Sequence, residues 1–414
     1  MQGKGKSDCR ESESEMKKVL MLGAGALQVP AIRELKRLGA YVLCLDWNPK
    51  AEGFRYADSA MVISTLDVEA VTKEFVKQKM DIIMTSASDA PVRVVSEVSE
   101  RLRLPCKLSY EDACAVTIKS IMRERMKMHG VPVPRYAILE SVGDFLEAFF
   151  DIFGRRCILK PSDNAGSRGV KLIEGAYRKE ELEKEYYACR GYARNGIVLA
   201  EEVMDGPEVS VESLTVGGQT EVIAITDKVV CRRPYFVEIG HVEGSRLPSA
   251  SQEGIIKLTK QAIKAANIRN GTSHTEIIVT EEGPKIVEIA ARLGGDFITS
   301  ALVPLATGVN IVRESVKLEL GEEVCLGRKW DRGAAVCFLS SEKPGTLLRI
   351  EGQQESLQME GVREAVFYKM AGEKVNALRS SNNRIGHIIA EGRNAEEAWE
   401  RVQAAYKKIN LIVG

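Results

Sequence analysis

Apolar and polar positions change period several times along the chain. From Lys17 the run KKVLMLGAGALQVPAIRELKRLGAYVLCLDWNP reads as an apolar strand, a glycine turn, an amphipathic helix and a second strand ending at Asp46. That succession predicts a βαβ unit and a parallel sheet. Further strands are predicted at 59–63 and 81–88, with a helix from about Asp67 to Lys79 between them, and Leu104–Leu108 closes the unit. One helix is expected from Tyr110 to His129, where the prolines of GVPVPRY stop it. RRCILKPSDNAGSRGVKLI then predicts two strands joined by a flexible loop, followed by a charged helix near 178–190. The stretch SHTEIIVTEEGPKIVEIAARLGGD, Ser273 to Asp296, predicts a hairpin turning at Glu281–Pro284. Helices are expected at about 252–266 and 310–320, and strands, turns and an amphipathic helix capped by Asn394 follow from Lys329.

Composition narrows the classes. A chain of 414 residues allows two or three domains. No run of 18 apolar residues occurs, so no membrane-spanning helix is expected. Lys and Arg number 58, as do Asp and Glu, without the basic excess of a nucleic-acid binder, which favours small-molecule partners. Nine cysteines without a CxxC pair fit reduced thiols in a cytoplasm. Residues 1–15 are polar and charged and are expected to form a disordered tail.

Chemistry concentrates in the predicted hairpin. Alternation allows Glu276 and Glu288 to face each other across the two strands. Paired carboxylates share a proton or hold a cation, and hard oxygen donors without nearby Cys point to magnesium or manganese. Arg292 follows by four residues, suited to an oxyanion or phosphoryl group, and Gly294 and Gly295 would let backbone approach a ligand. His274 lies two residues before Glu276, on the same strand face. Upstream, Lys160 precedes SDNAGSRG, where Gly166 and Ser167 belong to a loop able to offer backbone N–H groups to phosphates. No GKT or GKS is present and a strand follows, so this is not a Walker A loop. Gly23, Gly25 and Asp46 suggest a dinucleotide site, but Gln28 replaces the third glycine. Asp89, just past a strand end, suits either a substrate amine or a helix cap.

The string E…VEIAARLGG resembles the metal-binding hairpin of ATP-grasp ligases, with one departure: Ala290 stands where many members carry a metal-binding Asn. TIKSIMRERMKMHGVPVP resembles the helix and linker carrying that family's first nucleotide lysine, here Lys119. The resemblance implies that Lys160, Gly166 and Ser167 form the phosphate lid. It implies that Glu201, Glu202, Val203 and Met204 hold adenine by backbone and carboxylate, and that Glu208 binds the ribose. Lys228 would reach the phosphates from the far side, and Glu276 and Glu288 would hold magnesium. Glu238 and His241, in FVEIGH, resemble substrate contacts of L-amino-acid ligases, and His274, Arg292, Gly295 and Asp296 join them. RSSNNRIGHIIAEGRNAEEA resembles the C-terminal domain of the same ligases. The implied fold is α/β: a Rossmann-like parallel-sheet domain at 16–108, an ATP-grasp domain at 109–327 with its lid at about 130–200, and a small α+β domain at 328–414. The implied activity is ATP-dependent ligation of a carboxylate to an amine through an acyl phosphate, with Lys228 and Arg292 as catalytic cations, in a cytoplasmic enzyme that forms a homodimer in some relatives. Alternatives are a bicarbonate-using enzyme of the biotin carboxylase or carbamoyl phosphate synthase kind, or a non-catalytic nucleotide-binding module. No residue is assigned as general base.

Overall fold

The computed structural model describes residues 16–231 and 235–414; the tail expected at 1–15 lies outside the described residues. Strands Lys18–Leu22 (β1), Tyr41–Asp46 (β2), Ser59–Val62 (β3) and Ile82–Thr85 (β4) form a parallel sheet in the order β3-β2-β1-β4. Val19, Met21, Val42 and Cys44 face one core, whereas Leu20, Leu22, Leu43 and Leu45 face another. Burial on both faces is why these strands are continuous apolar runs. Helices Val29–Arg37 (α1), Val68–Lys77 (α2) and Ala90–Leu102 (α3) complete the unit.

The glycine turn after β1 is filled from within. The Gln28 side chain sits 3.3 Å from where a Cβ on Gly23 would lie. Its Nε2 donates to the Ser86 carbonyl at 2.5 Å and to Ser88 Oγ at 3.0 Å. Asp46 accepts the N–H groups of Ala24 and Asn48, both at 2.8 Å. These contacts use the space and the acid that a dinucleotide would need.

The single helix expected over 110–129 is two, Tyr110–Ala115 (α4) and Lys119–Met128 (α5). At the break, Thr117 Oγ1 donates to the Ala113 carbonyl and the Lys119 N–H donates to the Ser162 carbonyl at 2.7 Å. A tertiary hydrogen bond thus replaces a helical one and makes Lys119 the first residue of α5.

Residues 136–201, within the stretch expected to form the lid, contain a four-stranded antiparallel sheet. Its strands are Tyr136–Leu139 (β5), Arg156–Pro161 (β6), Lys171–Glu174 (β7) and Val198–Glu201 (β8), in the order β5-β8-β6-β7. The centre of the molecule is built from Glu208–Val216 (β9), Gln219–Val230 (β10), Glu238–Glu243 (β11), Gly271–Thr280 (β12) and Gly283–Ala290 (β13). The C-terminal unit has strands Gly333–Leu339 (β14), Gly345–Glu351 (β15), Val362–Phe367 (β16), Lys374–Val375 (β17), Gly386–Gly392 (β18) and Asn410–Val413 (β19). Three of them extend the central sheet, whose order is β13-β12-β9-β10-β11-β14-β18-β16. The expected boundary at 327/328 therefore crosses one continuous sheet. Helix Ala395–Tyr406, capped by Asn394 as expected, packs Ala398 and Val402 against Leu347, Val375 and Ile388.

Candidate active site

Register assembles a polar face on the central sheet. Glu276 pairs with Glu288 on β13 and with Ser210 on β9, and His274 pairs with Glu212. On the other side Lys228 of β10 lies opposite His241 of β11. Strand alternation keeps these residues on the face carrying Glu208.

Lys228 is the centre of charge on that face. Its ammonium stands 2.5 Å from Glu208, 3.2 Å from Glu276 and 3.5 Å from Glu238. Burial alone would lower its pKa, but the three carboxylates hold it well above the usual lysine value. Burial also pushes the Glu276 carboxyl up, and Lys228 and His274 reverse this and hold it well below normal. At Glu208 burial prevails over Lys228 and the carboxyl is raised. One ammonium thus secures the charge of one carboxylate while the other favours its proton. Glu288 has its own cation: Lys119 lies 3.0 Å away and also donates to the Asn164 carbonyl of the glycine loop at 2.7 Å.

Lys160 and Glu201 depart from expectation in their partners. Lys160 is 2.7 Å from Glu201, whose carboxylate also accepts from Arg123 Nε at 2.8 Å and Nη2 at 3.2 Å. Burial brings the Lys160 pKa down to about 8 against the pull of Glu201. Glu202 takes Arg135 at 3.0 Å and Lys285 at 2.9 Å, and its N–H donates to the Arg135 carbonyl. The two carboxylates expected at the adenine edge are thus paired within the protein, Glu201 with buried Arg123 and Lys160 and Glu202 with the more exposed Arg135 and Lys285. Val203 and Met204 follow, half-buried, in the link to β9. In the glycine loop Gly166 and Ser167 both have positive φ, and Ser167 Oγ donates to the Phe236 carbonyl at 3.1 Å, so the loop rests over the polar face.

Beyond β13, Arg292 forms a half-buried bidentate pair with Asp89, Nε to Oδ1 at 2.7 Å and Nη2 to Oδ2 at 3.1 Å. Asp89 makes no capping bond, and although burial pushes its carboxyl up, Arg292 holds it below normal. Gly294 is required by its protein neighbours: a Cβ there would lie 2.4 Å from Glu212 Oε1 and 2.7 Å from His274 Nδ1. His274 Nδ1 is 2.5 Å from Glu212; burial would lower its pKa, but Glu212 raises it to about 9. Gly295 lies in the same loop, where an added Cβ would meet Leu27 at 3.7 Å, and helps line a cavity of about 90 Å³ with Ala26, Ser86, Ala87 and Phe297. Asp296 has positive φ, lies 3.5 Å from His241 Nε2 and accepts Arg384 Nη1 at 2.9 Å. Burial pushes Asp296 up and these two partners hold it far below the carboxylate range.

Arg123, Glu212 and Arg384 were not singled out in the sequence. Arg123 had a signal, lying four residues after Lys119 on the same helix face. Glu212 and Arg384 had none, since pairing across elements places them.

Residues 153–300 match the model of the ATP-grasp domain, and residues 337–414 match L-amino acid ligase C-terminal domain 2. The chain thus carries an ATP-grasp domain and an L-amino acid ligase C-terminal domain. The L-arginine-specific L-amino acid ligase of Bacillus subtilis is 25% identical over 302 residues, 68% of this chain and 71% of that one. The phosphoribosylamine–glycine ligase of Thermococcus kodakarensis is 25% identical over 417 residues, 94% of this chain and 92% of that one. In structure, the L-amino acid ligase of Bacillus licheniformis superposes with a TM-score of 0.82 over 97% of this chain and 100% of that chain, at 21% identity. These relatives are carbon–nitrogen ligases named for different substrates.

Proposed function

We propose that the enzyme joins the carboxylate of one amino acid to the amine of another, using ATP to form an acyl phosphate and releasing ADP and phosphate. The observation that carries this reading is the cross-strand pair Glu276 and Glu288, each about a fifth exposed (23% and 20%), flanked by Lys228 and Lys119. The donor set fits magnesium, or manganese, brought in with nucleotide. Among the described residues no group of three or more His, Cys, Asp or Glu makes a cage, so two carboxylates would be completed by phosphate and water oxygens, without the Asn that Ala290 replaces. When bound, the ion would neutralise charge on the β- and γ-phosphate oxygens.

In this reading Lys119 and Lys228 turn from the carboxylates to the phosphates as the cation arrives, and Lys160 adds a third positive charge. Backbone of 201–204, with Val203 and Met204, holds the adenine, and Glu208 holds the ribose. The loop with Gly166 and Ser167 keeps water from the acyl phosphate. Arg292, oriented by Asp89, stabilises the oxyanion formed when the amine attacks; losing one such group costs about 3 kcal/mol of barrier. Glu238, His241, His274, Gly295 and Asp296 border the substrates.

The test is phosphate release from ATP and magnesium across an array of amino-acid pairs, with mass spectrometry of products and Glu288→Ala as control. Amine-dependent release with a product one water lighter than the summed substrates, lost in the control, is expected. ATP binding with no turnover on any pair would refute the reading.

A further inference from the structure

A cavity of about 610 Å³ lies where the first unit meets the central sheet. Its walls come from β4 and α3, from the link after α3, from the first residues of β12, from Ala291–Leu293 and from the end of the helix Ile311–Leu320. Ile83, Val92, Val95, Leu108, Ile268 and Leu318 give it apolar sides. Four hydroxyls interrupt them. Ser96 and Ser99 of α3, Thr272 of β12 and Ser315 are 2%, 3%, 7% and 8% exposed, and all line the cavity. Among the described residues none of these hydroxyls has a hydrogen-bond partner. Thr72 of α2 and Thr307, by contrast, each donate to the carbonyl four residues back at 2.7 Å. A buried hydroxyl without a partner is costly, so groups inside the cavity must complete these four. The charges on the wall are already paired. Lys107 stands 2.9 Å from Glu319, Lys17 donates to the Leu320 carbonyl, Asp81 accepts the Lys18 N–H at 2.8 Å, and Arg292 holds Asp89.

We propose that this cavity is a second small-molecule site, and that it takes a neutral ligand with an apolar body and hydrogen-bonding groups on its rim. Pockets of roughly 300–1,000 Å³ enclose ligands of drug size. An apolar ring or chain would fill the space between α3 and the helix Ile311–Leu320, while amide or hydroxyl groups on it meet Ser96, Ser99, Thr272 and Ser315. A charged ligand would lose its water and find no free opposite charge, which sets the preference for a neutral one. Lys119, Lys160, Lys228, Glu276 and Glu288 do not line the cavity, so it can be occupied while nucleotide is bound. Its occupancy does not depend on the ligase reading.

The full chain is titrated calorimetrically with 2-naphthamide and with indole-3-carboxamide, each beside its carboxylate, with and without magnesium and a saturating non-hydrolysable ATP analogue. At least one amide is expected to bind once per chain with Kd below about 1 mM, at least about tenfold tighter than its carboxylate, and within about twofold with or without the analogue. The double variant Ser96→Ala, Ser99→Ala, a change that favours helix, is expected to weaken that binding at least about fivefold. The proposal is overturned if neither amide binds, which would leave the cavity to water, or if the carboxylate binds as tightly as the amide. Displacement of the amide by the ATP analogue would also overturn it, since the ligand would then sit on the nucleotide face. So would unchanged binding in the double variant. If that variant does not fold, the wild-type comparisons decide alone.

Discussion

Two buried titratable groups make the same demand on pH, each serving the protein while it keeps its proton. In the proposed reading Lys160 holds a phosphate, and its pKa near 8 means that its charge is lost as pH rises through that value. Affinity for a non-hydrolysable ATP analogue should therefore fall about tenfold between pH 7 and pH 9, and Lys160→Arg should flatten the profile; calorimetric titration at both pH values reads this. Glu243 is buried beside Thr226, and burial raises its carboxyl to about 8. The folded state keeps that proton while the unfolded chain loses it near the ordinary glutamate value. Stability is thus unpenalised below about pH 4.5 and falls by roughly 1.4 kcal/mol per unit as pH rises toward 8. Glu243→Gln, neutral throughout, should remove that slope in urea unfolding at pH 5 and pH 8; an unchanged slope would show that Glu243 ionises freely in the fold. Neither behaviour was legible in the chain, where both residues are ordinary members of strand runs. Only the low dielectric of the sheet interior distinguishes them.

At the level of elements, the hairpin was legible because a period-two pattern is interrupted at Glu281–Glu282, but Gly283 and Pro284 already belong to β13, and a β-bulge between Glu276 and Ile277 sets the register that puts Glu276 opposite Glu288. The split between α4 and α5 was not, because its cause, a hydrogen bond to Ser162, comes from another element. The glycine pair shows the same division. Its presence marked a close approach, but the partners are Glu212 and His274. Gly294→Ala should overpack that contact and cost about 1–3 kcal/mol in chemical denaturation. A cost near zero would mean that the loop carrying Arg292 and Asp296 moves aside freely. Asn394→Ala should remove the cap on the last helix and cost about 1 kcal/mol, with little effect on the site.

For the whole molecule, the decisive feature is the sheet shared by the ATP-grasp core and the C-terminal unit. Truncation after Gly327 would strip β14 from β11 and expose Val242 with the strand edge bearing His241 and Glu243. The shortened chain should be insoluble or inactive even with the nucleotide residues intact, because a bared edge strand pairs with other chains. Expression and sedimentation of the truncated protein check this, and a soluble monomer that binds ATP as the full chain does would show the two parts to be independent.

By itself the sequence determined the element types, the parallel first unit and the hairpin that carries Glu276 and Glu288. Each of these follows from local period or from a short motif whose residues are neighbours in the chain. The tertiary structure alone decided who neutralises whom. It gave Glu201 to Arg123 and Lys160, Arg292 to Asp89, and Asp296 to Arg384. Those pairs join residues distant in sequence, and in a water-poor interior a charge is assigned by whichever opposite charge the packing brings within a few ångströms.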